Sequence, residues 1–199
     1  MAPEKLDSQT EEPRPEPMYR ADSTGRIFSF CLYSWLQPLL FALTVLFLVT
    51  IFLGRLIGVE GDSMLPTLHN KDLLVLQSLG YTPKAGDVVV LAEQSFRDGT
   101  PIVKRVIATE NQRVDIDYAA NTVTVDGVVL DEPYLGEPMV EKSWAVNNHV
   151  TVPEGCIFVL GDNRNNSSDS RNPEVGMVDA RCVLGRAVWR LIPFGGLDG

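Results

Sequence analysis

The sequence predicts a mainly β domain behind a single N-terminal transmembrane helix. Three observations predict it. No residue from Ile27 to Gly54 carries a charge, and Trp35–Leu53 is almost wholly apolar and long enough to cross a bilayer. The chain beyond residue 55 is a series of short Val, Ile and Leu runs broken by turn residues. That same part shows no long helical periodicity.

In chain order, residues 1–26 come first. They are rich in Pro, Glu and Ser and too poor in apolar side chains to offset chain entropy, so a disordered tail is expected. Residues 27–55 form the anchor region. Pro38, near the start of the apolar run, suits a first helical turn, and Tyr33 and Trp35 suit an interfacial aromatic belt. A cleavable leader is the alternative. The apolar run is too long for one, the preceding tail is long and acidic, and no small-x-small exit site follows. Arg14, Arg20 and Arg26 precede the span and only Arg55 follows closely, which places the N-terminus in the cytoplasm and the domain outside, on a cell membrane.

Residues 56–199 form the extracytoplasmic domain. Strands are expected at Leu73–Gln77, Asp87–Leu91, Ile102–Glu110, Arg113–Asp117, Thr122–Val125, Val128–Leu130, Cys156–Leu160 and Cys182–Trp189. Asp126-Gly127 between two runs predicts a type I′ hairpin. The net charge is −9, of which residues 56–199 carry −8. A surface that acidic repels phosphate backbones, which argues against nucleic acid as a partner. Cys156 and Cys182 either pair outside the cell or sit as small buried side chains. Neither the Cys nor the His spacing fits a metal site, and no cofactor is implied.

Three blocks carry chemistry. The first is Gly61-Asp62-Ser63-Met64-Leu65-Pro66-Thr67-Leu68, just past the apolar run. Taken alone, Ser63 reads first as a turn serine bonding to its own backbone. A serine hydroxyl becomes a nucleophile only when a base takes its proton. The second block is Pro101-Ile102-Val103-Lys104-Arg105-Val106-Ile107. Strand alternation sends Lys104 and Arg105 to opposite faces, so one points inward, and only lysine can then act as a base. On spacing alone, a solvated Lys104 is the simpler reading. A lysine base must be neutral, and burial against apolar atoms is what disfavours its charge. Each unit of lowering needs about 1.4 kcal/mol. His69, in His69-Asn70-Lys71-Asp72, reads as a surface turn residue. The third block is the polar stretch Gly161-Asp162-Asn163-Arg164-Asn165-Asn166-Ser167-Ser168-Asp169-Ser170-Arg171.

These blocks, in this order behind one anchor, resemble the type I signal peptidases, in their compact single-anchor form, over about residues 35–195. The resemblance implies a β-rich catalytic domain and a membrane serine endopeptidase that cuts signal peptides from exported preproteins, working as a monomer beside membrane lipid. It puts the nucleophile at Ser63 and the general base at Lys104. Ser167 becomes the hydroxyl that orients the lysine, Asp169 the structuring acid and Arg171 its partner. Asp162 and Arg164 join a charge network with Arg105. Val59, Met64, Leu68, Ile102 and Val103 fall around the subsites for positions −1 and −3, which implies shallow apolar pockets for small residues. The oxyanion positions are Ser63 and Gly61. Some members carry a hydroxyl where this chain has Gly61, so the Ser63 N–H and another donor must serve. Two rivals stand beside this reading. One is a self-cleaving Ser-Lys protease, against which the anchor argues. The other is an anchored, non-enzymatic β-domain that binds partners.

Overall fold

The structure, a computed structural model, describes residues 23–52, 55–92 and 100–197, and within the first helix it describes side chains from Tyr33 to Leu48. The expected disordered tail lies outside the described residues up to position 22, as do the side chains of Arg14, Arg20, Arg26 and Cys31. Ser23–Phe52 form one α-helix of 30 residues, α1. It starts upstream of the uncharged stretch, so Pro38 lies in its interior and not in a first turn. Proline has no N–H to donate, and the helix continues past the one lost bond. Every described side chain of α1 is exposed. Among the described residues no helix is long and apolar enough to cross a membrane.

The β body has eleven strands among the described residues. They are β1 (Leu56–Gly58), β2 (Leu73–Gln77), β3 (Val88–Leu91), β4 (Ile102–Ala108), β5 (Arg113–Asp117), β6 (Thr122–Val125), β7 (Val128–Val129), β8 (His149–Thr151), β9 (Cys156–Leu160), β10 (Val178–Asp179) and β11 (Val183–Ile192). A seven-stranded sheet runs β1-β2-β11-β3-β4-β9-β10, and a four-stranded sheet runs β7-β6-β5-β8. The Asp126-Gly127 hairpin is as expected, with φ of 54° and 80° joining β6 to β7.

Alternation explains the packing. In β5 and β6 the buried residues Val114, Ile116, Val123 and Val125 face Ile107, Phe158 and Leu160 of the larger sheet, and this cluster joins the two sheets. A second cluster, with Leu74, Leu76, Val88 and Val90, lies under the Ser63 turn. A third, with Val89, Leu91, Val106, Ile157 and Val159, fills the remaining side of the large sheet. β4 runs through the middle of this sheet and contributes to all three clusters. Cys156 and Cys182 are half-buried, and no disulfide joins them.

One feature of the ladder shapes the site. β4 pairs with β3 over its first four residues, Lys104 against Val89. Its pairing with β9 begins only at Arg105, opposite Leu160. Among the described residues, therefore, no strand pairs with Ile102–Lys104 on the side where the chain leaves β9 for the loop at Gly161.

Candidate active site

A cleft of about 700 Å³ opens along that side. One wall is the turn Glu60–Ser63. Val59 N–H donates to the Asp72 carbonyl at 2.8 Å and Lys71 N–H returns to the Val59 carbonyl at 2.8 Å, closing the base of the turn. Gly61 takes a φ of +89°, which a side chain would resist. The second wall is Ile102–Lys104, and the third is Asn165–Ser168 of the loop after β9. Lys142, Trp144, Asn172, Glu174 and Val175 complete it.

The turn and the strand bring two groups together. Lys104 Nζ donates to Ser63 Oγ at 2.7 Å. Lys104 is only 4% exposed and lines the cleft beside Ser63. An amine at this distance takes the hydroxyl proton once it is itself neutral. His69 is exposed, and its backbone N–H is bonded to Asp72. His149 is exposed and faces Asp115 at 3.1 Å.

The third block is built from buried ion pairs. Arg105 grips Asp162 with Nε at 2.8 Å and Nη2 at 2.7 Å. Burial works against the Arg105 charge, but the Asp162 carboxylate outweighs it and holds the guanidinium above its ordinary pKa. Thr67 Oγ1 donates to the same carboxylate at 2.6 Å, which ties the Ser63 turn to β4. Arg171 Nε and Asp169 Oδ1 meet at 2.8 Å with both side chains fully buried. Asp169 Oδ2 also accepts the Gly161 N–H at 3.1 Å.

Four expectations need correcting or refining. The Arg164 backbone N–H bonds to the Asp162 carbonyl at 3.1 Å, but its guanidinium pairs with Glu132 and not with the Asp162 carboxylate. Ser167 is buried on the cleft wall, but its Oγ has no hydrogen-bond partner, so the bond expected to orient Lys104 is not made. Gly61 N–H points to Asn70 Oδ1 at 3.3 Å, away from an oxyanion role. Val59, Met64 and Leu68 do not line the cleft. They are 3%, 1% and 0% exposed, in the core beneath the turn. Leu68 N–H bonds to the Met64 carbonyl, so the two share one face of a helical turn, and that face points at Leu74 and Leu76. Ile102 and Val103 do reach the wall. Contrary to an all-apolar lining, so do the charged side chains Glu60, Asp62, Lys142 and Glu174.

Sequence reasoning passed over Glu132, Tyr134, Lys142 and Trp144, all in the irregular connection between β7 and β8. One signal was available. With Asp162 spent on Arg105 and Asp169 on Arg171, a buried Arg164 requires a further acid. Among the described residues no group of His, Cys, Asp and Glu could hold a metal ion.

The family model described as signal peptidase, peptidase S26, matches residues 32–192. A probable signal peptidase I-1 of Synechocystis sp. is 36% identical over 164 residues, 78% of this chain and 80% of that one. Signal peptidase I of Bacillus licheniformis is 34% identical over 173 residues, 82% of this chain and 90% of that one. A signal peptidase I structure from Enterococcus faecalis V583 aligns with a TM-score of 0.45 and 30% identity, covering 54% of this chain and 98% of that chain. The chain belongs to the signal peptidase family, peptidase S26. It is a serine peptidase, a hydrolase.

Proposed function

We propose that this peptidase removes N-terminal signal peptides from exported preproteins, at a membrane, with Ser63 as nucleophile and Lys104 as general base. The observation that carries the reading is the 2.7 Å contact between the Lys104 amine and the Ser63 hydroxyl. Neutral Lys104 takes the hydroxyl proton as Ser63 Oγ attacks the scissile carbonyl. The protonated amine then gives that proton to the leaving amine. Water hydrolyses the acyl-enzyme, again with Lys104 as base. The Ser63 N–H supports the oxyanion together with a second donor other than Gly61. Ser167 takes up the amine during turnover, for which its unpartnered Oγ is available.

The side of Ile102–Lys104 that no described strand pairs with suits an extended substrate, which would pair with it through main-chain hydrogen bonds. Alternate side chains then face the walls, so positions −1 and −3 are read and −2 is not. The walls at Ile102 and Val103 favour small residues at both.

The anchor reading rests on two features. α1 exposes Trp35, Phe41, Leu46 and Phe47 all round, as a helix in lipid does. In the β body, Leu56 and Trp189 flank Val75 from the two strands either side of β2, and Trp189 meets Phe194 edge to face at 5.0 Å between ring centres. Leu56, Trp189 and Phe194 are all exposed, an apolar face that suits lipid. The N-terminus is then cytoplasmic, the β body extracytoplasmic, and the enzyme a monomer. The test is cleavage of a synthetic preprotein by the purified full chain in detergent. Cleavage that persists in Ser63→Ala would sink the reading.

A further inference from the structure

The segment Asp131–Met139 leaves β7 and meets the Ser63 turn, the loop after β9 and Arg105 of β4. Gly136 backs onto the Ser63 turn, where a Cβ would lie 3.4 Å from Pro66 Cδ. Glu132, its side chain 6% exposed, pairs with the fully buried Arg164. Tyr134 donates its hydroxyl proton to Glu132 Oε1 at 2.7 Å and lays its ring over Arg105, with 3.9 Å from the guanidinium carbon to the ring centre.

The position of Arg105 gives this contact its meaning. Lys104 lies one residue beyond the end of the β4–β9 ladder and pairs on its other side with Val89 of β3. The next residue, Arg105, is held by its side chain. Arg105 is fastened by its edge to Asp162 and to the Gly86 carbonyl at 3.0 Å. Asp162 in turn holds Thr67 of the Ser63 turn. The edge of a planar guanidinium is thus engaged, and the face takes the aromatic ring. Burial, then Glu132, keeps the Tyr134 phenol protonated above its ordinary range, so it stays a donor and the ring stays pinned.

We propose that Tyr134 is a positioning residue of the reaction: through Arg105 it fixes the strand end that carries Lys104 against the Ser63 turn. The inference rests on the Ser63–Lys104 reading above. Tyr134 does not line the cleft, so its loss should change the rate of turnover and not the binding of substrate.

The test uses the full chain in detergent and a synthetic preprotein. Tyr134→Leu removes the ring, and Tyr134→Phe keeps it while losing the bond to Glu132. The expected result is a fall in kcat of about tenfold in Tyr134→Leu, as when a desolvated cation–π contact is lost. KM should stay within about twofold of wild type, and Tyr134→Phe should recover most of kcat. A folded Tyr134→Leu with wild-type kcat overturns the inference. So does a loss carried by KM, or a Tyr134→Phe as slow as Tyr134→Leu. Should Tyr134→Leu fail to fold, Tyr134→Met is judged by the same criteria. Ser63→Ala is assayed alongside: if it cleaves, the dyad reading falls and this inference with it. If it is inactive while Tyr134→Leu is unimpaired, only the inference falls.

Discussion

Gly161 lies so close to Ser63 that a Cβ on it would fall 2.5 Å from the Ser63 carbonyl oxygen and 2.2 Å from Ser167 Oγ. The chain leaves β9 here and threads between the Ser63 turn and the Ser167 loop. Just after it, Asn163 N–H donates to the Ser63 carbonyl at 3.0 Å and Asn163 Nδ2 to the Asp62 carbonyl at 3.0 Å. The clash would be partly with backbone, which cannot swing aside. Gly161→Ala should therefore push the Ser63 turn away from Lys104. We expect kcat to fall by about 100-fold, the typical cost of a displacement near 1 Å. Stability should fall by about 1–3 kcal/mol, as for other overpacked sites. Kinetics and denaturant unfolding of the same variant check both.

Ser63→Ala and Lys104→Met should each abolish cleavage and leave the fold intact. In the proposed mechanism the two groups act on one proton, so the double variant should be no slower than either single one. Retained cleavage in Lys104→Met would remove the amine from the mechanism, whatever Ser63→Ala did.

The pairs around the site should matter more to folding than to proton transfer. Asp169→Ala leaves the Arg171 guanidinium, which is fully buried, without its carboxylate and frees the Gly161 N–H. Breaking one side of such a pair costs about 3–5 kcal/mol. The unfolding midpoint in urea measures it. An Asp169→Ala enzyme as stable as wild type but inactive would instead give Asp169 a direct part in the chemistry.

On the proposed mechanism the rate should rise with pH, because that mechanism works through the neutral Lys104 amine. The rise has an upper bound in the fold. Tyr81 and Tyr134 are both held protonated above the ordinary tyrosine range, by burial first and then by Asp87 and Glu132 respectively. The folded state keeps these protons at a pH where the unfolded chain releases them. Their contribution to stability is thus complete below the ordinary tyrosine pKa of about 10 and declines as pH rises beyond it. The melting temperature should drop over that range, and less steeply in Tyr81→Phe. A single rate inflection near about 6.5 that vanished in His69→Ala would make histidine the base.

How far the sequence was legible follows from element length. β2, β5, β6 and β9 have the bounds that their own apolar patterns predict. β1, β8 and β10 escaped because they have three residues or fewer, too few for alternation to register. They exist because a longer neighbour pairs with them. β11 starts later and ends later than expected. The 3-10 turn Ala180–Cys182, capped by Asp179, delays its start, and two bulges against β2 break its alternation near Trp189. At the site, Ser63 and Lys104 stood out because their flanking residues form blocks. Glu132, Tyr134 and Trp144 did not, since the β7–β8 connection has no periodicity and its contacts with the site, to Arg105, Arg164 and Arg171, are with distant parts of the chain. Met64 and Leu68 were misplaced for a related reason. Their apolar character fits a pocket wall and a core equally, and only the direction of the turn decides.

Specificity should then depend on Ile102 more than on the turn. Of the five residues expected around the subsites, only Ile102 and Val103 line the cleft, and Val103 is 7% exposed. Ile102 is half-buried at the start of β4, on the same strand face as Lys104. A substrate paired along the side of β4 that no described strand takes up here would bring a side chain near the cut against the Ile102 branch. Wild-type enzyme should cleave preproteins with Ala, Gly or Ser at −1 and −3 and reject Leu or Phe there, with little response to −2. Ile102→Ala removes three carbons from the wall without touching Ser63 or Lys104. It should raise kcat/KM for the Leu and Phe preproteins relative to the Ala one by about 10–200-fold, the range for a change of one to a few methylenes in an apolar pocket. Met64→Ala and Leu68→Ala should lower stability by about 2–5 kcal/mol, as core truncations, without relaxing specificity. The measurement is kcat/KM across preproteins varied at −1, −2 and −3, for each enzyme. Unchanged selectivity in Ile102→Ala, or relaxed selectivity in Met64→Ala, would return the pocket wall to the turn.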